Sequence, residues 1–262
     1  MIKLVISNQR GGVGKTTTTL ALARHLAGKG KRILVVDTDP QGSVSVTLGL
    51  KPSSYLSHFI GLRYALKDCI VSAHPSIDVL CSSRDTVQAE AMLMGAVGRE
   101  QAFVHLFTPV EAAYDAILFD VAPSVTLLQT CAMVYCGKAL VPVDMDPLSL
   151  HGAVATHELT RILNELLRTD VRVAGLLPTQ VNLRLQMTEV ITNSLKSFAE
   201  RASILLLPAI RTDTTVTKAT KQRVFLQDYD DTCKAMEDYR TAFETLLPFL
   251  EASPHVPVAA QA

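Results

Sequence analysis

SNQRGGVGKTTTTL, residues 7–20, is the stretch that decides the reading of this chain. It follows a short apolar run, IKLVIS (2–7), and opens KTTTTLALARHLAGKG (15–30), a helical pattern closed by Gly28 and Gly30. A strand, a glycine loop and a helix in that order form a phosphate cradle. The common pattern puts a glycine five residues before the glycine of Gly-Lys-Thr; Gln9 stands there, so the strict pattern fails. The physics of the rest holds. Backbone N–H groups of Gly11, Gly12, Val13 and Gly14 can turn inward around phosphate oxygens, because the glycines bring no Cβ into the way. The loop feeds a helix N-terminus, which favours anions. Lys15 offers a full charge to the β- and γ-phosphates, Thr16 a hydroxyl to Mg²⁺, and Thr17 a hydrogen bond to the α-phosphate. A plain glycine turn before a helix gives no reason for Lys-Thr at its mouth, so nucleotide binding is the expected role.

Working outward, apolar runs continue at RILVVD (32–37), IDVLCS (77–82), AILFDV (116–121), KALVPV (138–143), RVAGLLP (172–178) and SILLLP (203–208). Amphipathic stretches at 99–113, 124–136, 150–168 and 188–200 separate them. Continuous Val/Ile/Leu runs alternating with helices mean strands buried on both faces, hence a mostly parallel sheet. The expected fold class is α/β: a single doubly wound domain over residues 1–251, helices on both faces, followed by a disordered tail, ASPHVPVAAQA (252–262). Two more acidic elements accompany the glycine loop. VVDTDPQGS (35–43) carries Asp37 and Asp39 at the end of the second strand, where open parallel sheets bind ligands. AILFDVAPS (116–124) ends its strand in Asp120, the form of a Walker-B carboxylate. One such Asp could be a helix cap; three beside Gly-Lys-Thr point to a metal–phosphate site.

Together RGGVGKT, DTDPQGS and the strand ending in DVAPS resemble the ParA/MinD family of deviant-Walker P-loop ATPases, and within it the ParA (Soj-like) partition branch. The resemblance covers most of the chain. VPVDMDPLSLHGA (141–153) is similar to the segment after that family's next strand, and LLPTQVNLR (176–184) to its base-side loop. IRTDTTVTKAT (210–220) is similar to the loop closing over the nucleotide, and VFLQDYDDTCKAMEDY (224–239) to its final helix. The resemblance implies slow, partner-stimulated hydrolysis of ATP with Mg²⁺. It gives Asp39 the attacking water, sets Asp37 and Asp120 to hold Mg²⁺ through its waters, and sets Asn182, Pro208 and Asp213 around the adenine. It also implies a homodimer formed on ATP binding. Arg10 stands where the family usually has Lys, and would reach in trans to the phosphates of the other subunit. Arg keeps the permanent charge but brings a planar fork. Thr220 and Ala122 replace prolines that relatives often have.

The family's cargo carriers bind DNA without sequence preference and answer to a ParB-like or other cargo adaptor. Net charge here is zero, yet residues 161–225 carry ten Lys/Arg against five Asp/Glu, and 226–262 two against seven. Arg184 matches a basic position of the family's DNA surface; Arg211, Lys218, Lys221 and Arg223 are further candidates in that basic stretch. An acidic last helix argues against a MinD-like membrane partner, which uses a basic amphipathic helix. Cys131 and Cys136 are not where iron-carrying relatives place bridging thiols. The five cysteines include no CxxC pair and read as core thiols of a cytoplasmic protein; association with the nucleoid is what the resemblance implies. No run of eighteen apolar residues is present, and the start is too short for a signal-peptide core. With the first strand beginning at the N-terminus, a leading DNA-reading domain that represses an operon is not expected. The alternatives are an ATPase positioning a protein assembly, MinD-like or otherwise, and a nucleotide-switch scaffold with little turnover, against which Asp39 argues.

Overall fold

Six of the seven apolar runs are strands of one sheet, in a computed structural model that describes residues 1–182 and 184–251. The stretch 252–262, expected to be a disordered tail, lies outside the described residues. In chain order the elements are β1 (Ile2–Ile6), α1 (Lys15–Gly28), β2 (Ile33–Asp37), α2 (Ser43–Leu48), α3 (Leu56–Gly61), β3 (Ile70–His74), β4 (Ile77–Leu80), α4 (Thr86–Met94), α5 (Ala102–Phe107), β5 (Ala116–Asp120), α6 (Leu127–Cys136), β6 (Lys138–Asp144), α7 (Pro147–Leu167), β7 (Arg172–Thr179), α8 (Gln186–Ala202), α9 (Thr214–Gln222), α10 (Leu226–Tyr229) and α11 (Lys234–Glu251). The seven strands lie in the order β3-β4-β2-β5-β1-β6-β7. Every neighbouring pair is parallel except β3–β4.

Strand side chains alternate between the two faces, and each face has its own helices. Ile2, Leu4, Ile33, Val35 and Leu118 pack with α1 and α11, where Leu22, Leu26, Phe243 and Leu246 are buried. Val5, Leu34, Val36, Ile117 and Phe119 face α3–α6. There Phe103 lies 5.4 Å from Phe119 in a stacked pair, and Phe107 meets Phe119 edge-on at 5.2 Å. A smaller cluster seals β6 and β7 against α7 and α8 through Val141, Val143, Leu195 and Phe198. The buried polar residues Ser7, Asn8, Asp37, Thr38 and Asp120 all sit at the C-terminal ends of the central strands. That edge holds the site, as an open parallel sheet requires.

Three expectations change. SILLLP (203–208) is not a ladder strand: it meets β7 at a single isolated bridge, Leu176 to Leu206, where Leu176 N donates to Leu205 O and Leu207 N to Leu176 O. Pro178 and Pro208 have no N–H to give, so the ladder cannot run through them. The seventh strand is instead β3, an edge segment that forms an irregular antiparallel pair with β4. It escapes the apolar pattern because none of its residues is fully buried. IRTDTTVTKAT is only partly loop, since α9 begins at Thr214 under an Asp213 cap. The final helical region is split into α10 and a longer α11.

Candidate nucleotide-binding site

The loop between β1 and α1 turns on two left-handed glycines, Gly12 at φ 80° and Gly14 at φ 87°. Side chains there would be strained, which accounts for the residue type. A Cβ on Gly11 or Gly12 would meet nothing within 4 Å, so the loop opens onto free space on that side. α1 starts at Lys15 directly after Gly14, with no side-chain cap, leaving its first N–H groups available to a ligand. The Lys15 ammonium is nearly enclosed and donates to the carbonyls of Arg10 at 2.9 Å and Asn8 at 3.2 Å. Burial lowers its pKa, while Asp120 and Asp39 pull it back up.

At the same opening the Thr16 hydroxyl donates to Asp120 Oδ2 at 2.6 Å, and Thr19 lies 3.5 Å from Oδ1. Burial pushes Asp120 up to about 7, against the hydrogen bond from Thr16 and the charge of Lys15. Asp37 pairs with Asp120 in the β2–β5 register and is also held well above the ordinary carboxylate range, by burial first and by Asp120 second. Its two oxygens accept the backbone N–H groups of Asp39 at 2.9 Å and Val44 at 3.0 Å. Asp37 thus shapes the turn that presents Asp39. Asp39 in turn accepts from Gln41 N at 2.9 Å. Gly11, Lys15, Thr16, Asp39, Val121 and Pro123 line one cavity of about 320 Å³. Hydroxyl and carboxylate oxygens of this kind suit a hard cation such as Mg²⁺, which also keeps phosphate oxygens and water as ligands.

A second cavity, of about 250 Å³, shares Gly12, Gly14 and Thr17 with the first and runs toward Thr179, Arg211 and Asp213. Of the three residues expected around the base, only Asp213 lines it. Its carboxylate is occupied: it accepts from Thr215 N at 2.8 Å and Ala235 N at 3.2 Å. Burial alone would raise Asp213, but those bonds and Lys234 hold its carboxyl below the ordinary value. Asn182 instead closes a local turn, accepting from Arg184 N and, through its carbonyl, from the Thr188 hydroxyl. Pro208 is not among the lining residues.

The basic candidates separate in the same way. Arg184, Lys218 and Lys221 are exposed, the last two on α9. Arg223 caps α9 in a left-handed conformation, its stem lying against Gly49. Arg211, also a candidate, is ion-paired. Its guanidinium is gripped by Asp238, at 2.8 Å from Nε and 2.7 Å from Nη2, and it lines the base-side cavity. Arg10 is exposed at the mouth of the loop and makes no salt bridge among the described residues. Its charge is felt at Asp144, whose carboxyl burial raises and Arg10 partly restores.

Sequence reasoning missed four residues that hold the loop. Asn8 is buried, donates to the carbonyls of Pro142 and Ser149, and accepts from Arg10 N at 2.9 Å. Gly152 of α7 lets that happen, because a Cβ there would lie 2.2 Å from Asn8 Oδ1. Thr179 donates to Val13 O at 2.9 Å, and Gln180 to Gly12 O at 2.8 Å. The only available signal was an Asn directly after an apolar strand.

The match to known proteins is extensive. A family described as AAA domain matches residues 1–173. The sporulation initiation inhibitor protein Soj of Bacillus subtilis is 30% identical over 210 residues, 78% of this chain and 83% of Soj. The chain belongs to the ParA/MinD-type P-loop ATPase family. An uncharacterised Mycobacterium tuberculosis protein is also 30% identical, over 198 residues, 72% of this chain; the chain spans only 62% of that relative's length. Among solved structures, the ATP complex of a Cyanothece McdA variant superposes with a TM-score of 0.83 at 21% identity, covering 97% of each chain. At that identity the likeness speaks for the fold, a single domain built on a mostly parallel seven-stranded sheet.

Proposed function

We propose that this chain is a ParA-type ATPase. It binds ATP and Mg²⁺ at the β1–α1 loop and closes two copies face to face over the paired nucleotides. In that state it binds DNA without sequence preference. Slow hydrolysis, stimulated by a ParB-like or other adaptor, then releases it and positions a cargo. The observation that carries the reading is one constellation at one strand edge. Lys15 lies inside the loop, the Thr16–Asp120 pair and Asp39 sit at the same opening, and Arg10 is exposed at the rim.

The residues divide the work. The N–H groups at the start of α1 and the Lys15 ammonium bind the β- and γ-phosphates. Lys15 now bonds its own loop carbonyls, so a bound triphosphate offers it a charged acceptor in place of neutral ones. Thr16 and Asp120 would hold the metal, and a bound Mg²⁺ would supply charge neutralisation to the phosphate oxygens. Asp37 fixes the turn through Asp39 N and Val44 N, and Asp39 orients the attacking water from that turn. Arg10 of one copy reaches the phosphates of the other. Exposed Val46, Val125 and Leu148 sit on segments leaving the ends of β2, β5 and β6, apolar side chains on the site's edge that a second copy would cover. Arg184, Lys218, Lys221 and Arg223 supply phosphate contacts that a dimer doubles. Among the described residues no helix is long and apolar enough to cross a membrane; the proposed place of action is the cytoplasm, on the nucleoid.

Phosphate release from Mg-ATP, with and without random duplex DNA, tests the reading. The chain turns over slowly. Lys15→Ala loses turnover by about 100-fold or more with weakened nucleotide binding. Asp39→Ala keeps ATP affinity within a few-fold and loses turnover by about 100-fold or more. Normal hydrolysis by Asp39→Ala contradicts the assignment.

A further inference from the structure

α4 lies outside the phosphate site, yet it is tied to both loops that carry the site's acids. Its Glu90 side chain crosses to α6, where Oε1 accepts the N–H of Leu127 at 2.5 Å and of Leu128 at 3.3 Å. Thr126 Oγ1 takes the next donor, Gln129 N, at 3.1 Å. Three N–H groups in the first turn of α6 are therefore satisfied, two of them by a residue 37 and 38 positions away. The segment from Val121 to Thr126 is suspended between two fixed points. Asp120 in the sheet anchors one end, Glu90 the other, and Val121 and Pro123 between them wall the phosphate cavity. Gln129 of the same first turn also donates to Ser7 Oγ at 2.8 Å, just ahead of the glycine loop.

The N-terminal end of α4 reaches the other loop. Thr86 bonds Ser82 through their hydroxyls at 2.8 Å. The Ser82 carbonyl comes so close to Gly42 that a Cβ there would sit 3.1 Å from it. Gly42 N closes the turn onto Asp39 O at 2.9 Å. α4 thus spans from the Asp39 turn to the wall that follows Asp120.

We infer that Glu90 is a positioning residue: through the α6 N-terminus it holds residues 121–126 against the phosphate cavity and so sets the rate of the chemical step. This rests on the ATPase reading above. The negative charge at a helix N-terminus is favourable in its own right, and the reach needs the full length of Glu.

The test uses the full chain with Glu90→Ala, Glu90→Asp and Glu90→Gln, and two measurements. Hydrogen exchange without nucleotide reads the tether alone. The account expects amides of residues 124–129 to exchange at least about tenfold faster in Glu90→Ala and Glu90→Asp, with Glu90→Gln close to the parent because it keeps the acceptor oxygen. Steady-state phosphate release then expects kcat to fall several-fold in the same two variants, KM for ATP to stay within about twofold, and Glu90→Gln to restore kcat. Unchanged exchange in Glu90→Asp overturns the tether. Faster exchange with an unchanged kcat, or a loss that moves KM and kcat alike, overturns the positioning role. A parent chain without ATP turnover, its exchange pattern as expected, counts against the ATPase reading and not against the tether.

Discussion

Asn8 shows at the scale of one residue how the phosphate loop is held. A buried amide has four hydrogen-bonding positions, and Asn8 fills three: two as a donor to β6 and α7 carbonyls, one as an acceptor from Arg10 N. Gly152 leaves room for it. Gly152→Ala is expected to cost about 1–3 kcal/mol in urea unfolding, since the new methyl must displace a buried polar group in a packed core. It is also expected to weaken any function of Arg10 more than that of Lys15, because Asn8 braces the Arg10 backbone. Asp120 makes the second prediction. Its folded carboxyl sits at about 7 against an ordinary 3.8, so between those values the native state holds the extra proton. Its contribution to stability therefore falls as pH rises through that window. The nucleotide-free chain should lose stability relative to Asp120→Asn between about pH 4 and pH 7; parallel pH profiles for the two would refute this. Lys15, Thr16 and Asp120 were legible in the sequence because phosphate and cation chemistry tolerates few residue types. Asn8 and Gly152 were not, because their importance comes from a close approach of α7 that no local pattern announces.

At the scale of elements, apolar content alone did not decide what became a strand. SILLLP (203–208) is more apolar than β3, yet it stays outside the ladder, since Pro178 and Pro208 interrupt the donors on both sides of the contact. IVSAH (70–74) is a strand because β4 offers it an antiparallel edge, not because its side chains are buried. The fully buried strands were legible, as their Val/Ile/Leu runs can sit only between two layers of helix. The short helices α2, α3 and α4 were not, for they follow from packing against one another and against α1, α6 and α9 rather than from periodicity. α5 is a clear case of an element made by packing. It is only six residues long and docks through Phe103 and Phe107, both fully buried against Phe119. Phe103→Ala should destabilise the chain by about 3–5 kcal/mol in denaturant unfolding, with little change in nucleotide affinity per folded molecule.

Across the whole molecule, charge and shape divide by edge. The C-terminal strand ends gather the loop, the acids, exposed apolar side chains and Arg10, while α11 on one face spends Asp238 on Arg211 and Glu244 on Lys29. The zero net charge of the chain conceals this, so composition alone said little about partners. The charge count of the basic stretch could not show that Arg211 is gripped by Asp238 or that Arg223 lies along Gly49. What makes the molecule a switch, in the reading proposed here, is that its site is completed by a second copy. The direct measurement is the solution mass by light scattering of the Asp39→Ala chain, which on the proposed reading holds ATP unhydrolysed, with and without Arg10→Ala. Loaded with Mg-ATP, the Asp39→Ala chain should move from the 28.4 kDa of the monomer to about twice that, and adding Arg10→Ala should return it to the monomer. A nucleotide-loaded chain that stays at the monomer mass, or an Arg10→Ala chain that pairs as well as its parent, contradicts the account.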